Sequence, residues 1–278
     1  MIDNLMARVR EPRFGVALAS GVIAFLMSSH WTPMAIPGAV AIGLTLIRPA
    51  VAVRPAMWWV MAGLWFAAVI LVQDRMEDHV YLFAVWLVAL AVSLTGESAT
   101  FLDRAAWHAR VLIGVTFAAA VSWKLFFGQY VSGMTLWMFL LFDNRFEPLS
   151  TMMWLPDAAM EQSQVGLREL MTGAGGTSSI EAPSDVLWRV SAVALLTLFM
   201  EAVIAISHLL PDSSRLAVLR LPSVVLFGVV TYAVVPVLPF AALLALLAMV
   251  VARWRPDVMW VFPALVLVSV IRLLFLVI

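Results

Sequence analysis

The most constraining feature of the chain is a series of long apolar stretches that recurs from residue 14 to the last residue. A helix needs about 20 mostly apolar residues to cross a bilayer, whereas the strands of a membrane barrel alternate apolar and polar residues. The stretches therefore predict an all-α, polytopic membrane helical bundle that forms a single domain over residues 1–278. They lie at about residues 14–29, 34–47, 56–73, 80–95, 107–127, 187–210, 221–252 and 257–278.

The stretch 221–252 is too long for one span and contains Pro236 and Pro239. Proline interrupts a helix because it lacks the backbone N–H and clashes with the preceding turn. We expect two shorter helices or a kinked pair in this stretch. The predicted total is therefore eight or nine transmembrane helices.

The composition supports a membrane protein and excludes several other classes. Hydrophobic residues make up 64% of the chain and charged residues 12%, against about 45–50% and about 25% in soluble domains. Together with a mean hydropathy of +1.01, this excludes a soluble enzyme, a disordered tail and a secreted disulfide scaffold. The sequence contains no Cys, so thiolate metal sites are excluded, and we expect no metal. Its net charge of zero leaves no basic surface for nucleic acid.

Arginine is distributed unequally between the two sides of the predicted bundle. If the N-terminus is cytoplasmic, the alternating spans place more than twice as many arginines inside as outside, which is the positive-inside pattern. The inner arginines are Arg8, Arg10, Arg13, Arg48, Arg54, Arg104, Arg110, Arg215 and Arg220, joined by Arg253 and Arg255 if 221–252 is a hairpin; the outer ones are Arg75, Arg145, Arg168 and Arg189. We therefore expect a multi-pass protein of the bacterial cytoplasmic (inner) membrane.

Two segments between the fifth and sixth stretches are predicted to lie on the outer side. Residues 143–185 form an acidic extracytoplasmic loop, with a mobile linker at Gly173–Ser179. The preceding segment, Tyr130–Phe142, is apolar and aromatic but too short to span the bilayer. We expect it to be an amphipathic helix along the outer leaflet or a re-entrant segment.

Ionisable side chains inside the apolar stretches are candidates for function, because charge at membrane depth is costly. They are His79, Lys124, Glu201, His208 and Arg272. Lys124, the only Lys, lies sixteen residues after His108, or about 24 Å along a helix, which places it near the outer end of its span. His79 begins the preceding span on the same side. We predict that His79 and Lys124 share an outward-facing cavity, where a desolvated Lys can act as a base and a His can relay protons.

Each of these residues also has a structural explanation. Lys124 can extend to the interface, and His79 can be an interfacial residue. An acid such as Glu77 or Asp78 can pair with Lys124 and make it a structural clamp. For Glu201 and His208, seven residues apart on one helix face, a structural interhelical hydrogen bond is favoured, with Arg272 as a candidate partner for Glu201.

Two local patterns resemble one known family. His79-Val80-Tyr81-Leu82 opens one predicted span, and Trp123-Lys124-Leu125 ends the next, followed by Tyr130-Val131-Ser132-Gly133. The stretch Phe142-Asp143-Asn144-Arg145-Phe146 adds to the similarity. Together these residues resemble the HTTM (horizontally transferred transmembrane) domain proteins, the bacterial relatives of the vitamin K-dependent γ-carboxylases.

The resemblance implies an activity and a cofactor. In that family a Lys deprotonates a reduced quinone, the oxygenated quinone removes a γ-proton from a substrate Glu, and a His assists as CO2 adds to the carbanion. Lys124 and His79 match these two residues, which implies that they are catalytic. Trp123, Tyr81 and Tyr130 are implied to bind the cofactor, a reduced quinone of the menaquinol or vitamin K hydroquinone type. The implied reaction is a quinol-dependent carboxylation, or a related modification, of a protein or peptide at the outer face of the membrane.

Two other classes of function stay open. The chain can instead be a non-catalytic membrane scaffold or maturation subunit of a larger complex. A transporter is less well supported, because we find no internal repeat of two matching broken helices. The expected partners are membrane lipid, a peptide or protein substrate and other membrane subunits, without nucleic acid.

Overall fold

The structure is a computed structural model, and it describes most of the chain up to residue 255. The described residues are 7–28, 32–72, 78–126, 128–143, 146–155, 160–161, 163–166, 184–234, 237–255, 258–259, 264 and 267. Several sequence predictions fall outside these residues, among them Arg272, Glu77, much of the acidic loop 143–185 with its linker 173–179, and most of the last predicted span, 257–278.

Every regular element in the described part of the chain is helical, which confirms the predicted all-α class. The longer helices are α1 (Pro12–Met27), α2 (Ala35–Ile47), α3 (Pro55–Leu71), α4 (Asp78–Leu94), α5 (Phe101–Phe126), α6 (Met134–Phe142), α7 (Glu147–Met152), α8 (Ser184–Leu209), α9 (Arg220–Val234) and α10 (Leu238–Val251). Between them lie a one-turn helix, Pro49–Ala52, and the 3-10 segments Thr32–Met34, Ser98–Thr100 and Arg215–Leu219.

Prolines determine where several helices begin. Pro12, Pro55 and Pro239 each occupy the first or second position of a helix, where the missing N–H has no intrahelical partner to lose. The long stretch 221–252 is divided as predicted, since α9 ends at Val234 and α10 begins at Leu238.

Helices occupy each predicted apolar stretch up to residue 251, but they differ in length. Three described segments are long and apolar enough to cross a membrane: Ser98–Phe126, Val186–Leu209 and Arg215–Tyr232. By contrast, α3 and α4 have 17 residues and α10 has 14. At ~1.5 Å per residue they reach about 25 Å or less, short of the ~30 Å hydrocarbon core. The helices are therefore confirmed, whereas full spanning length is found for three described segments rather than eight or nine.

The helix α10 lies at the centre of the bundle. Its ten residues Ala241–Val250 are each at most 4% exposed. A helix that is apolar on all faces is stable when neighbours cover all of them, and α10 packs against α1, α5 and α9. Among the helices α3, α4, α5, α8, α9 and α10, the shortest is therefore the one most completely enclosed by its neighbours.

Two hydrophobic clusters are joined by α8, which has 26 residues. The main core comes chiefly from α1, α3, α4, α5 and α10, and includes Ile204 and Ala205 of α8. The second cluster contains Tyr130, residues of α6 and α7, and Val190 and Ala194 of α8. With nine residues, or about 14 Å, α6 is too short to span, as predicted for this segment.

Several arginines gather at one end of the bundle, here called the arginine end. Arg13 of α1 reaches Gly96 after α4, and Arg253 after α10 pairs with Asp103 of α5. Arginines of this end that contact other parts of the described chain include Arg13, Arg104, Arg110, Arg220 and Arg253, all from the predicted inner set. The opposite end of α5 carries Lys124 and is called the lysine end.

Candidate functional site

The only lysine of the chain forms a buried ion pair between α5 and α8. Lys124 lies in the last turn of α5, and its Nζ donates a hydrogen bond to Oε1 of Glu201, 2.5 Å away. The Lys124 side chain is 15% exposed and that of Glu201 is 7% exposed. Arg110, near the start of α5, contacts Asp212 just beyond the end of α8, so the two helices are antiparallel. Their packing brings together two charges that are 77 residues apart in the sequence.

An aromatic ring covers the ammonium group. The centroid of the Tyr130 ring lies 4.6 Å from Lys124 Nζ, a cation–π contact that is strongest where water is excluded. Burial, with the charge of Glu201 close by, raises the pKa of Tyr130 to about 12. The phenol therefore stays protonated at neutral pH.

The turn that carries Tyr130 is held against α8. Gly133 has φ = +79°, a left-handed conformation that favours glycine. A Cβ at Gly133 would lie 2.8 Å from the backbone nitrogen of Ser191, so a larger residue would push the turn away from α8. Ser191 Oγ also donates to the carbonyl of Ser132 at 2.8 Å. These contacts fix the position of Tyr130 over the ion pair.

The ion pair leaves one acceptor unused. Glu201 Oε2 is buried and has no hydrogen-bond partner among the described residues. A buried polar atom without a partner costs about 1–3 kcal/mol. The site therefore combines a primary amine, which can take up or release a proton, with a carboxylate oxygen able to accept one more hydrogen bond.

Beside this polar pair, the last turn of α5 presents large apolar side chains to the surroundings. Trp123 is 53% exposed, Leu125 is 56% exposed and Phe126 is 85% exposed. In a chain with membrane-length helices, such a surface suits lipid or a lipid-soluble molecule.

His79 opens α4 at the lysine end, because α4 and α5 pack together and are joined by a short connection. It is 7% exposed, and its ring stacks on Phe240 of α10, with the centroids 5.7 Å apart. Tyr81, two residues on, is 39% exposed. His79 and Lys124 thus lie at the same end of the bundle. His79 contacts Phe240 of α10, whereas Lys124 contacts Glu201 of α8. A cavity shared by the two stays a prediction.

The predictions for the buried ionisable groups can be compared with the contacts found. Glu201 makes an interhelical hydrogen bond, as favoured for it, and its partner is Lys124 of α5. Arg272, Glu77 and the side chain of Asp78 lie outside the described residues. Nδ1 of His208 is 2.9 Å from the carbonyl oxygen of Ile204, to which it can donate within α8.

Two features of the sequence could have predicted the Lys124–Glu201 ion pair. Glu201 is the one acidic residue deep inside an apolar stretch, and Lys124 is the one lysine. Opposite charges at membrane depth are expected to pair, because each is costly alone. Depth along each helix suggested His79 as the neighbour of Lys124, but packing of α5 on α8 supplied Glu201.

Two further features lie apart from the pair. A groove of about 220 Å³ between α4 and α5, lined by Val88, Val92, Trp107 and His108 among others, lies towards the arginine end. Within the described ranges, no three His, Asp or Glu side chains lie close enough together to hold a metal ion.

Comparison of the chain with protein-family models, with curated proteins and with solved structures finds no match.

Proposed function

We propose that this chain is a membrane-embedded enzyme of the vitamin K-dependent γ-carboxylase type, acting on a protein or peptide at the outer face of the membrane. The observation that carries the proposal is the buried Lys124–Glu201 pair with its unused carboxylate oxygen. A buried ion pair that serves stability alone can often be replaced by apolar residues at no cost. An amine and a carboxylate enclosed by apolar helices are better suited to transferring a proton than to a purely stabilising role.

The chain's own residues can carry out a proton transfer. The hydrogen bond from Lys124 Nζ to Glu201 Oε1 lets one proton pass to the carboxylate, which leaves a neutral amine and a neutral acid. Apolar surroundings tolerate neutral groups better than ions. The neutral Lys124 can then accept a proton from a phenolic hydroxyl, and the Tyr130 ring stabilises the ammonium that forms. His79 is assigned the proton relay at the substrate step.

The surroundings of the pair fit a reduced quinone of the menaquinol or vitamin K hydroquinone type. Glu201 Oε2 is an acceptor for a ring hydroxyl, and the exposed apolar side chains of α5 suit an isoprenoid chain. Trp123, Tyr130 and Tyr81 would hold the ring. When bound, a reduced quinone would supply, on oxidation by O2, the strong base that removal of a γ-proton from a glutamate side chain requires.

The proposed orientation places the lysine end outside and the arginine end in the cytoplasm, within the inner membrane. The grouping of Arg13, Arg104, Arg110, Arg220 and Arg253 at one end supports it, because cytoplasmic ends are enriched in arginine. In this arrangement eight or nine helices cross the bilayer, the shorter ones within the bundle. Residues 143–185 are extracytoplasmic, and α6 lies in or along the outer leaflet.

A second candidate is a non-catalytic scaffold or maturation subunit. The observation that favours it is the position of the ion pair where the two hydrophobic clusters meet, with Tyr130 from the second cluster and Glu201 beside the main core. There the pair can act as a clamp that holds the turn after α5 onto α8.

Two substitutions at Lys124 distinguish the candidates. Lys124→Arg keeps the charge but cannot release a proton near neutral pH. Lys124→Met combined with Glu201→Leu removes both charges and keeps similar volume. An enzyme should lose glutamate carboxylation in both, detected by mass spectrometry of secreted and membrane proteins for the mass of one CO2, while the protein stays folded in the membrane.

A scaffold should keep its cellular function in both substitutions, and that result would exclude a base at Lys124. Arg215→Lys, at an exposed position outside the site, is the matched control and should behave as the unmodified protein in either case.

The orientation has its own test, which exploits the absence of Cys from the sequence. A single Cys at Ser178 should react with an impermeant thiol reagent in intact spheroplasts, whereas a Cys at Ser213, exposed near the arginine end, should react after lysis alone. The reverse pattern would move the site to the cytoplasmic side.

A further inference from the structure

Two arginines from different helices meet at one glycine of the arginine end. Arg13 Nη2 of α1 donates to the carbonyl oxygen of Gly96 at 2.8 Å. The guanidinium of Arg104, from α5, packs so closely on the same residue that a Cβ there would collide with Arg104 Nη1. Glycine at position 96 is thus required for this approach.

Neither guanidinium is neutralised by a carboxylate within the described residues. Arg104 Nη2 donates to the backbone carbonyls of Ser93 and Glu97, and Arg13 lies over the ring of Phe101 at 5.7 Å. By contrast, three other arginines of this end are paired with aspartates: Arg110 and Arg220 with Asp212, and Arg253 with Asp103. Arg13 and Arg104 therefore leave two positive charges close together without a counter-charge.

Both guanidiniums also have N–H groups that can donate further hydrogen bonds. Both Nε atoms are buried without a hydrogen-bond partner, and neither Nη1 donates to an acceptor in the part of the chain that the structure describes. The residues before α5, Thr95 and Glu97–Thr100, are exposed, so the site is open to the surroundings. The N-terminal end of α5 adds partial positive charge to that of the two arginines.

We propose that Arg13, Arg104 and the connection around Gly96 bind a phosphate group, supplied by the head group of an anionic phospholipid or by a free phosphate ion. Arginine binds phosphate through parallel N–H donors and stays charged at all physiological pH values. The ends of membrane-length helices lie at the depth of lipid head groups, where anionic lipid attracts basic residues. The proposal is independent of the catalytic one, because this site lies at the end opposite Lys124.

The test measures binding to the purified full chain in a neutral detergent. The probes are dioctanoyl phosphatidylglycerol, inorganic phosphate, and dioctanoylglycerol, which has the same chains without phosphate. Arg13→Gln and Arg104→Gln should each weaken phosphatidylglycerol binding about tenfold, whereas Arg215→Gln, at an exposed position, should change it less than about twofold. Binding of the lipid far more tightly than phosphate identifies a head group, and equal binding identifies a free anion.

Three results would overturn the proposal. They are unchanged affinity in both site variants, an equal loss in Arg215→Gln, and binding of dioctanoylglycerol as tight as that of phosphatidylglycerol. If a Gln variant does not fold, Arg13→Lys and Arg104→Lys decide. These variants keep the positive charge but lose the parallel N–H donors of the guanidinium, so affinity for phosphatidylglycerol should fall several-fold. Full affinity in both would contradict the proposed phosphate site.

Discussion

The helices α5 and α8 are joined by two charged contacts, Lys124–Glu201 and Arg110–Asp212, and the two contacts place different demands on the fold. At the lysine end, Lys124 and Glu201 are 15% and 7% exposed. At the arginine end, Asp212 accepts hydrogen bonds from Arg110 at 2.8 Å and from Arg220 at 2.5 Å, and its side chain is 64% exposed.

The difference lies in what happens when one partner is lost. At the arginine end the carboxylate of Asp212 is open to water, although the side chains of Arg110 and Arg220 are 17% and 11% exposed, and Arg220 also donates to the carbonyls of Ser207 and Leu210. Because water reaches this carboxylate, we expect a contribution close to that of surface ion pairs, about 0–1 kcal/mol. At the lysine end no water replaces a missing partner, so a single charge would be left buried. The fold thus tolerates the loss of the ion pair at the arginine end, whereas at the lysine end each buried charge needs the other.

The largest expected effect is the loss of Glu201. Glu201→Leu leaves the Lys124 ammonium buried without its carboxylate, and we expect a loss of about 3–5 kcal/mol in the free energy of unfolding. Denaturant unfolding in detergent micelles, followed by tryptophan fluorescence, measures it.

The double variant Lys124→Met with Glu201→Leu is the control for this prediction. It should recover stability to within about 1 kcal/mol of the unmodified protein, because no lone charge remains. If the double variant is as unstable as the single one, the two charges are not coupled and the contrast between the ends is wrong.

A smaller effect is expected at Gly133, which positions Tyr130. Gly133→Ala combines a left-handed φ with a contact of about 2.8 Å to Ser191, and should cost about 1–2 kcal/mol or more. Gly128→Ala is the matched control, because nothing lies within 4 Å of a Cβ at Gly128. Thermal unfolding of the two variants checks this, and equal stabilities would mean that the turn is not held against α8.

The smallest effect is expected at Asp212. The hydrogen bond from Arg220 lowers the pKa of Asp212 below its ordinary value. A carboxyl whose pKa is lower in the folded state stabilises the fold above about pH 4, and this contribution is lost as pH falls through the folded value. Since Asp212 is exposed, Asp212→Asn should cost less than about 1 kcal/mol at pH 7.

Unfolding measured against pH tests this. The difference between Asp212→Asn and the unmodified protein should vanish in acid and shrink in high salt. A difference that persists in acid after Asp212 has been protonated would show that the aspartate acts through packing rather than charge.

Helix positions could be predicted closely where apolar stretches and prolines coincide. The stretches 56–73 and 80–95 became α3 (Pro55–Leu71) and α4 (Asp78–Leu94), within two residues at each end. The start of α5 was placed at 107, but the helix begins at Phe101. Asp103 and Arg104 interrupt the apolar stretch at this turn, and Asp103 finds its partner in Arg253, which is 150 residues away in the sequence.

The members of the candidate site could be predicted directly, whereas the pairing had only the indirect signal of opposite charges at membrane depth. Lys124 and Glu201 were identified because charge is unusual in an apolar sequence, and Tyr130 because it is part of the pattern that carries the family resemblance. The local pattern around Lys124 places Tyr130 one turn beyond the helix end, close enough to cover the ammonium. Glu201 is 77 residues away, and nothing in its immediate sequence indicates which helix it faces.

The sequence by itself determined that the chain is helical and apolar, and where prolines interrupt it, because helix hydrogen bonds join residues four positions apart and depend on local composition. Tertiary structure alone decided that α10, and not a longer helix, lies at the centre of the bundle, and that Glu201 rather than a nearer acid pairs with Lys124. Both outcomes depend on which helix faces meet. Stretches that are apolar on every face do not differ enough in composition to specify their neighbours, so packing makes that choice.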